Sequence, residues 1–366
     1  MHEEASLVTT ECLVEVFWAF GKEVDNVTVK FETLVGGLIN TTLRVMVTGD
    51  RGTLEEEWVL QRLNTNVFRN PEAISNNVRV AVAHLRVVAP DYVFPAGELK
   101  QIKGGDWWKL APYIKNTRSL HSVETVEHAE AAARQFAKLC RLLSTCPQDG
   151  MVQTIDGFHD LRRHQSEYEE NLVSAPKHRR EICAIKNLTA DIAVLGAPIL
   201  EAYTQAACTL PLRIVHHDAK LGNILFNETG NDAVCVVDLD TLMPGLYISD
   251  LGDLIRTSVS PVSEEEPDAT KVSIRMDYYQ AVLRGFLSEL RSVLTPEETK
   301  LIVDAGEISV YMQVIRFLGD YLSGNIYYKT MHEFHNLDRA SNQLSLLKGL
   351  VAMRSDVKRV IEDILK

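Results

Sequence analysis

The feature that most constrains the fold is a change of hydrophobic period near Pro112–Asn116. Upstream, apolar residues recur at every second position. Val27, Val29 and Phe31 share one face of a short run, and Leu43, Val45 and Val47 share one face of Thr41–Thr48. Alternation of that kind marks half-buried strands. Glu57–Leu60 reads as a third strand and Trp107–Ile114 as another. Pro71 opens an intervening helix, because a first helical turn tolerates proline. Downstream the period becomes helical. Val126, Ala129, Ala133, Phe136, Leu139, Cys140 and Leu143 line one stripe, and Leu344, Leu347, Val351, Val357, Val360, Ile361 and Ile364 line others. Only Leu212–Val215 and Ala233–Val237 interrupt with short apolar strands. Strands first and helices after predict an α+β chain in two lobes, not an alternating parallel sheet. The expected division is an N-terminal antiparallel β-sheet lobe over residues 1–114 and a larger, mainly helical lobe over 115–366.

Charge narrows the partners. The 366 residues carry a net charge of −12, which argues against nucleic acid or an anionic membrane surface, since both require a basic footprint. The one dense basic run, Lys177-His178-Arg179-Arg180, reads as a solvated helix face. Ser263–Thr270 reads as an acidic surface loop. No run of about 18 apolar residues is present, and Met1–Glu11 has no secretory pattern. Six cysteines are scattered without a C-x-x-C pair, the pattern of reduced thiols in a cytoplasmic protein.

The chemistry is concentrated in Ile214-Val215-His216-His217-Asp218-Ala219-Lys220-Leu221-Gly222-Asn223-Ile224-Leu225, followed by Val236-Val237-Asp238-Leu239-Asp240. Phosphoryl transfer from ATP requires a carboxylate to orient the acceptor hydroxyl, oxygen ligands for Mg²⁺ and a cation near the phosphoryl group. Asp218 fits the base. Asn223 and Asp238 offer the hard oxygens that magnesium prefers, and Lys220 supplies the cation. His216 reads as a hydrogen-bonded support of the loop. Asp240 has two open readings, a further metal contact or a bond to the loop backbone. Between the first strands, Gly36 and Gly37 permit close approach of backbone N–H groups to phosphate oxygens.

These segments resemble the aminoglycoside phosphotransferase and choline kinase family, relatives of the protein kinases. Within it the nearest likeness is to the N-acetylhexosamine 1-kinases. The resemblance spans roughly residues 30–355. It rests on the His216–Leu225 loop, on Gly37-Leu38-Ile39-Asn40-Thr41-Thr42 and Leu60-Gln61-Arg62-Leu63-Asn64-Thr65, and on Asp238-Leu239-Asp240-Thr241-Leu242-Met243-Pro244-Gly245. Asp250–Arg256, Arg316–Leu322 and His335-Asn336-Leu337 extend it.

The resemblance implies a protein-kinase-like fold with ATP and Mg²⁺ in the cleft of a monomer. It also implies phosphorylation of the anomeric (C1) hydroxyl of a free N-acetylhexosamine to the sugar 1-phosphate. Kinases of choline, homoserine or aminoglycosides are the alternative. Pro112, Tyr113 and Ile114 would form the hinge under the adenine, and Asp250 would brace the catalytic loop. Asp218, Asp238, Asp240, Arg316 and Tyr321 would face the sugar, although Arg316 also has the spacing for an i,i+4 pair with Asp320. The chain departs from the pattern in three places. Gln61 or Arg62 stands near the usual strand lysine, no firm acidic partner for such a lysine is evident beyond Glu72, and Leu38 stands where the kinases of that group have His.

Overall fold

Leu43, Val45 and Val47 are buried as their alternation requires, and the sheet they belong to sets the first lobe. The computed structural model describes residues 9–22, 28–34, 40–49, 54–102, 105–120 and 122–366. Gly36, Gly37 and Leu38 lie outside the described residues. The first sheet is antiparallel, with strands β1 (Thr28–Thr33), β2 (Thr41–Thr48), β3 (Leu54–Arg62), β4 (Glu98–Gln101) and β5 (Trp107–Pro112) in the order β1-β2-β3-β5-β4. Its two faces differ in chemistry. Leu43, Val45, Val47, Leu60, Trp108 and Leu110 form an apolar outer face. Thr42, Gln61 and Lys109 stand opposite one another on the other face, which turns toward the second lobe.

A helix not anticipated from the sequence, α1 (Thr10–Ala19), covers the apolar face with Leu13, Val16 and Phe17. Thr9 caps its start by accepting the N–H of Cys12. Its end closes through Gly21 at φ +69°, with the N–H of Lys22 on the carbonyl of Phe17 and that of Gly21 on Trp18. That pairing satisfies the last carbonyls of the helix. The polar start of the chain hid this element, because its apolar stripe begins only at Cys12.

Helix α2 (Pro71–Val88) begins at the proline expected to open it and is capped by Asn70. Its buried Asn77 ties it to the second lobe, donating to the carbonyls of Val152 (2.7 Å) and Leu242 (3.0 Å). The connection Pro112–Asn116 leads from the sheet to β6 (Thr117–Ser119).

In the helical lobe, α3 (Val126–Leu142) lies along α8 (Met276–Leu290). The backbones meet at Gly285, where an added Cβ would sit 2.1 Å from the Glu130 carbonyl. After the short α9 (Pro296–Leu301) comes the central helix, α10 (Ala305–Ser323), with Phe317, Leu318 and Leu322 among its fully buried residues. Each such side chain contributes roughly 1.5–3 kcal/mol on burial. Around it pack α4 (Leu161–Ser174), α6 (Cys183–Thr209), α7 (Ile248–Ser258) and α11 (His335–Ala352). The C-terminal stripe read as helical is two helices, α11 and α12 (Arg354–Leu365), separated at Met353.

Among the described residues, α6 is long and apolar enough by length and composition to cross a membrane, although Lys186, Asp191 and Glu201 interrupt its apolar residues. Its Ile185, Leu188, Ile192 and Ile199 nevertheless belong to the core of this lobe. The basic run forms a short helix, α5 (Lys177–Arg180), without buried residues.

Two small sheets hold the loops between the lobes. Strand β7 (Arg213–Val215) pairs with β10 (Met243–Gly245), and β8 (Ile224–Asn227) lies between β6 and β9 (Ala233–Val236). The segment 216–223 therefore leaves one small sheet and enters the other, and residues 237–242 do the reverse.

Candidate active site

The loop after β7 is held from below by one carboxylate. Asp250, in the first turn of α7, accepts the backbone N–H groups of His216 (2.9 Å) and His217 (2.7 Å). It is buried, and burial pushes its pKa up to about 6 against the pull of His216 and the two N–H groups. His216 joins the two loops. Its Nε2 lies 2.9 Å from the Val237 carbonyl and its Nδ1 accepts the Asp218 N–H at 3.3 Å. The Val237 N–H in turn donates to the Asn223 carbonyl (2.9 Å). These bonds place Asp238 beside the 218–223 loop.

Two residues here have left-handed backbones, His217 at φ +65° and Asp238 at φ +60°. Non-glycine residues in that region cost on the order of 1–3 kcal/mol each and cluster at functional sites. His217 is fully packed. Its carbonyl receives His159 Nε2 (2.9 Å) and its Nδ1 meets Ser249 Oγ (3.0 Å). Gly245 of β10 crosses its ring so closely that a Cβ would lie 2.2 Å from Cε1, which accounts for the glycine in Met243-Pro244-Gly245. Burial holds His159 down to about 3, with the Arg316 guanidinium adding to the effect, so its ring is neutral. A cavity of about 300 Å³ opens on this side of the loop, lined by His159, Tyr203, His217 and Ser249 among others.

The Asp218 carboxylate is held by Lys220 Nζ at 2.8 Å and Asn223 Nδ2 at 2.9 Å, both on Oδ2. Burial opposes its ionisation, but the Lys220 ammonium beside it wins and holds its pKa below the usual carboxylate range. Asn223 also donates to the Asp218 carbonyl (2.8 Å). With its NH₂ committed to Asp218, Asn223 has its amide oxygen to offer. The Asp238 side chain is about a third exposed, and its nearest cation is Lys109 Nζ at 3.9 Å. Burial and the like charge of Asp240 raise its pKa.

These donors fit magnesium. Among the described residues no three His, Cys, Asp or Glu side chains converge as a metal cage. Mg²⁺ on a triphosphate needs only one or two protein oxygens, since phosphates and waters complete its shell.

Among the described residues Asp240 bonds no loop backbone; it is buried and faces the first lobe. Lys109 Nζ lies 2.5 Å from its Oδ1, and Asn40 donates to its Oδ2 at 3.1 Å. Lys109 escaped the reading of the sequence. Its parity within Trp107–Pro112, opposite to that of Trp108 and Leu110, marked it as polar-face, but its partner was not visible. Gln61 stands opposite Lys109 on β3 and bonds Thr42 Oγ1 (3.2 Å). Arg62, one residue on, points to the outer face and pairs with Asp106. Glu72 is exposed on α2. Tyr113 lies at the end of the sheet, its ring under Arg44 (4.3 Å) and its N–H on the Glu57 carbonyl, with Pro112 closing β5 before it and Ile114 following.

Arg316 does not pair with Asp320. Its guanidinium lies 5.4 Å from the Phe158 ring and 5.7 Å from those of Tyr327 and Tyr328. Asp320 instead caps a turn, accepting the N–H groups of Ile326, Tyr327 and Tyr328 and the Asn336 amide. Tyr321 is fully buried in the helical core, with Arg179 over its ring at 4.9 Å. It is not brought to the Asp218 loop.

A sheet lobe, a larger helical lobe and a loop pair that brings Asp218, Asn223 and Asp238 together define a kinase-like phosphotransferase fold. Residues 30–283 match the phosphotransferase enzyme family (APH), and the chain belongs to that family. Solved structures of similar fold include an aminoglycoside phosphotransferase from Alicyclobacillus acidocaldarius. It has a TM-score of 0.62 and 12% identity, with 93% of this chain and 95% of that one covered. A microcompartment-associated aminopropanol kinase matches with TM-score 0.58 and 14% identity, over 97% and 98% of the two chains. A choline/ethanolamine kinase family protein from Mesorhizobium loti matches with TM-score 0.57 and 16% identity, over 92% of each.

Proposed function

We propose that this phosphotransferase uses ATP and Mg²⁺ to phosphorylate the anomeric hydroxyl of a free N-acetylhexosamine, giving the sugar 1-phosphate and ADP. Asp218 orients the C1 hydroxyl and takes its proton as the O–P bond forms. The Lys220 ammonium keeps that carboxylate ionised and ready to accept. Asn223 and Asp238 hold the metal, which when bound neutralises charge on the triphosphate. Among solved structures of the same fold, an aminoglycoside 2'-phosphotransferase-IIIa was captured with GDP and a spectinomycin phosphotransferase with ADP, which supports a nucleotide as the donor.

One observation carries the choice of acceptor. Arg316, with Phe158, Tyr327 and Tyr328 around it, has no carboxylate within ion-pair distance among the described residues. It lies close enough to His159, whose Nε2 bonds the residue before Asp218, to depress that imidazole. A guanidinium without a direct carboxylate partner repels a quaternary or protonated amine and suits an acceptor with a carbonyl oxygen, such as an acetamido group.

The acidic loop offers no counterweight. Glu264 pairs with Arg256, Glu265 with His335 and Arg339, and Glu266 with Lys271. Carboxylates already paired leave little net negative charge for a cationic acceptor.

The test is ADP release measured over N-acetylglucosamine, N-acetylgalactosamine, unmodified hexoses, choline, homoserine and aminoglycosides. Turnover confined to N-acetylhexosamines, with phosphorus NMR placing the phosphate on C1, is expected. Turnover only with amino alcohols would overturn the sugar assignment and leave the phosphotransferase one standing.

A further inference from the structure

We propose that Lys109, positioned by Asp240, is the cation of the sheet lobe that binds the nucleotide's phosphates. In this view the Lys109–Asp240 pair replaces the strand-lysine and helix-glutamate pair of protein kinases. The inference rests on the nucleotide-binding part of the function proposed above, and not on the identity of the acceptor.

Sheet geometry places the lysine. In protein kinases the lysine that reaches the phosphates stands on the third strand and is held by a glutamate of the following helix. Here Gln61 of β3 faces the cleft and carries no charge, while Arg62 is on the outer face with Asp106. Residues directly opposite on antiparallel strands have Cβ atoms about 5 Å apart and share a face. Lys109 is that opposite residue on β5. It supplies an ammonium on the cleft face, one strand over. Four methylenes span that offset.

The acidic partner has moved as well. Glu72 of α2 is exposed, and α2 is anchored by neutral Asn77 instead. The carboxylate that meets Lys109 is Asp240, buried, two residues past Asp238 and also held by Asn40. Asn40 in turn accepts the backbone N–H of Asn64 (2.9 Å). Asp240 is thus fixed from the sheet lobe and cannot follow a metal. The Lys109 side chain is 15% exposed and sits 2.5 Å from Asp240 and 3.9 Å from Asp238. Its charge offsets two neighbouring carboxylates that repel each other.

With Asp238 engaged by a divalent cation, Lys109 would no longer have that carboxylate as a partner. The anions left within its reach are Asp240 and the phosphate oxygens. An ammonium has three donors, so it can keep Asp240 and bind phosphate together. Lys220 is not equivalent, because it sits on the 216–223 loop of the helical lobe beside Asp218 and not on the sheet.

The experiment compares calorimetric titrations of Mg·ATP and of adenosine, which lacks phosphates. Wild-type protein is expected to bind ATP more tightly than adenosine. K109Q should lose about 10- to 100-fold in ATP affinity, the range of a hydrogen bond to a charged group, with adenosine affinity unchanged. K109R should recover most of the loss, and D240N should weaken ATP alone. If K109Q leaves Asp240 too poorly compensated to fold, K109Q/D240N removes both charges and is read in the same way. An ATP-to-adenosine preference in these variants equal to wild type would overturn the proposal. Wild-type protein that binds neither ligand would instead overturn the nucleotide reading beneath it.

Discussion

The Asp218 carboxylate and the Lys220 ammonium lie 2.8 Å apart in the loop that joins the two small sheets. Burial alone would favour a protonated Asp218, and the lysine reverses that preference. The acid–base behaviour of the site is therefore a property of the pair. Replacing Lys220 with Met removes the strongest influence opposing burial and leaves only His216 and the Asn223 bond, so the pKa of Asp218 rises. A general base must be deprotonated to act, and the acid limb of the kcat–pH profile should move to higher pH in K220M. An acid limb at the wild-type position would separate Lys220 from the ionisation of Asp218.

Asp218→Asn keeps the shape and the contact with Asn223 but cannot accept a proton. Turnover should fall by about 10²- to 10⁴-fold, the usual contribution of a positioned base. Nucleotide affinity, followed by calorimetry, should stay near wild type. A purified D218N protein with undiminished turnover would remove the residue from its role.

Asp238→Asn tests the metal ligand without disturbing the left-handed backbone, which asparagine tolerates. The variant should lose the magnesium-dependent part of ATP binding. Its apo melting temperature should not drop sharply, because burial and Asp240 already penalise the Asp238 carboxylate. Titrations with and without Mg²⁺ that differ as they do in wild type would contradict the assignment.

Asp250→Asn leaves one of the two backbone N–H groups facing an amide NH₂ instead of an oxygen. An unsatisfied buried donor costs about 1–3 kcal/mol, so D250N should melt earlier at neutral pH and lose kcat as the loop loosens. There is also a pH signature. The folded pKa of about 6 lies above the ordinary 3.8. Asp250 therefore contributes stability that is complete below about pH 4 and is lost as pH rises through about 6, a swing of about 3 kcal/mol. Asparagine does not titrate. The gap in melting temperature between wild type and D250N should narrow from pH 4 to pH 7. A constant gap would contradict the elevated pKa.

Much of the fold was legible because it is local. The alternation in Thr41–Thr48 and the stripe in Val126–Leu142 follow from which way successive side chains point along a strand or a helix. The bounds of β2 and α3 and the start of α2 agree closely with the expected ones. The first helix was missed because its capping residue and polar first turn resemble a disordered start. The site was legible in part for the same local reason. His216, Asp218, Lys220 and Asn223 stand within eight residues, and their mutual bonds span only two to five positions.

What the residues alone could not disclose depends on distant pairings. Arg316 had the spacing to bond Asp320, yet Asp320 is claimed by the turn after the helix. Tyr321, five residues beyond Arg316, turns into the core.

The Asp218–Asn223–Asp238 order and the two-period division of the chain were determined by the sequence itself, since backbone geometry converts spacing directly into direction. The cation facing Asp238 was decided only by tertiary structure. Lys109 and Asp240 are 131 residues apart. Their meeting depends on the register of β5 against β3 and on how the sheet lobe sits over the loops. Both are set by the summed burial of many side chains, and no short stretch of sequence records them.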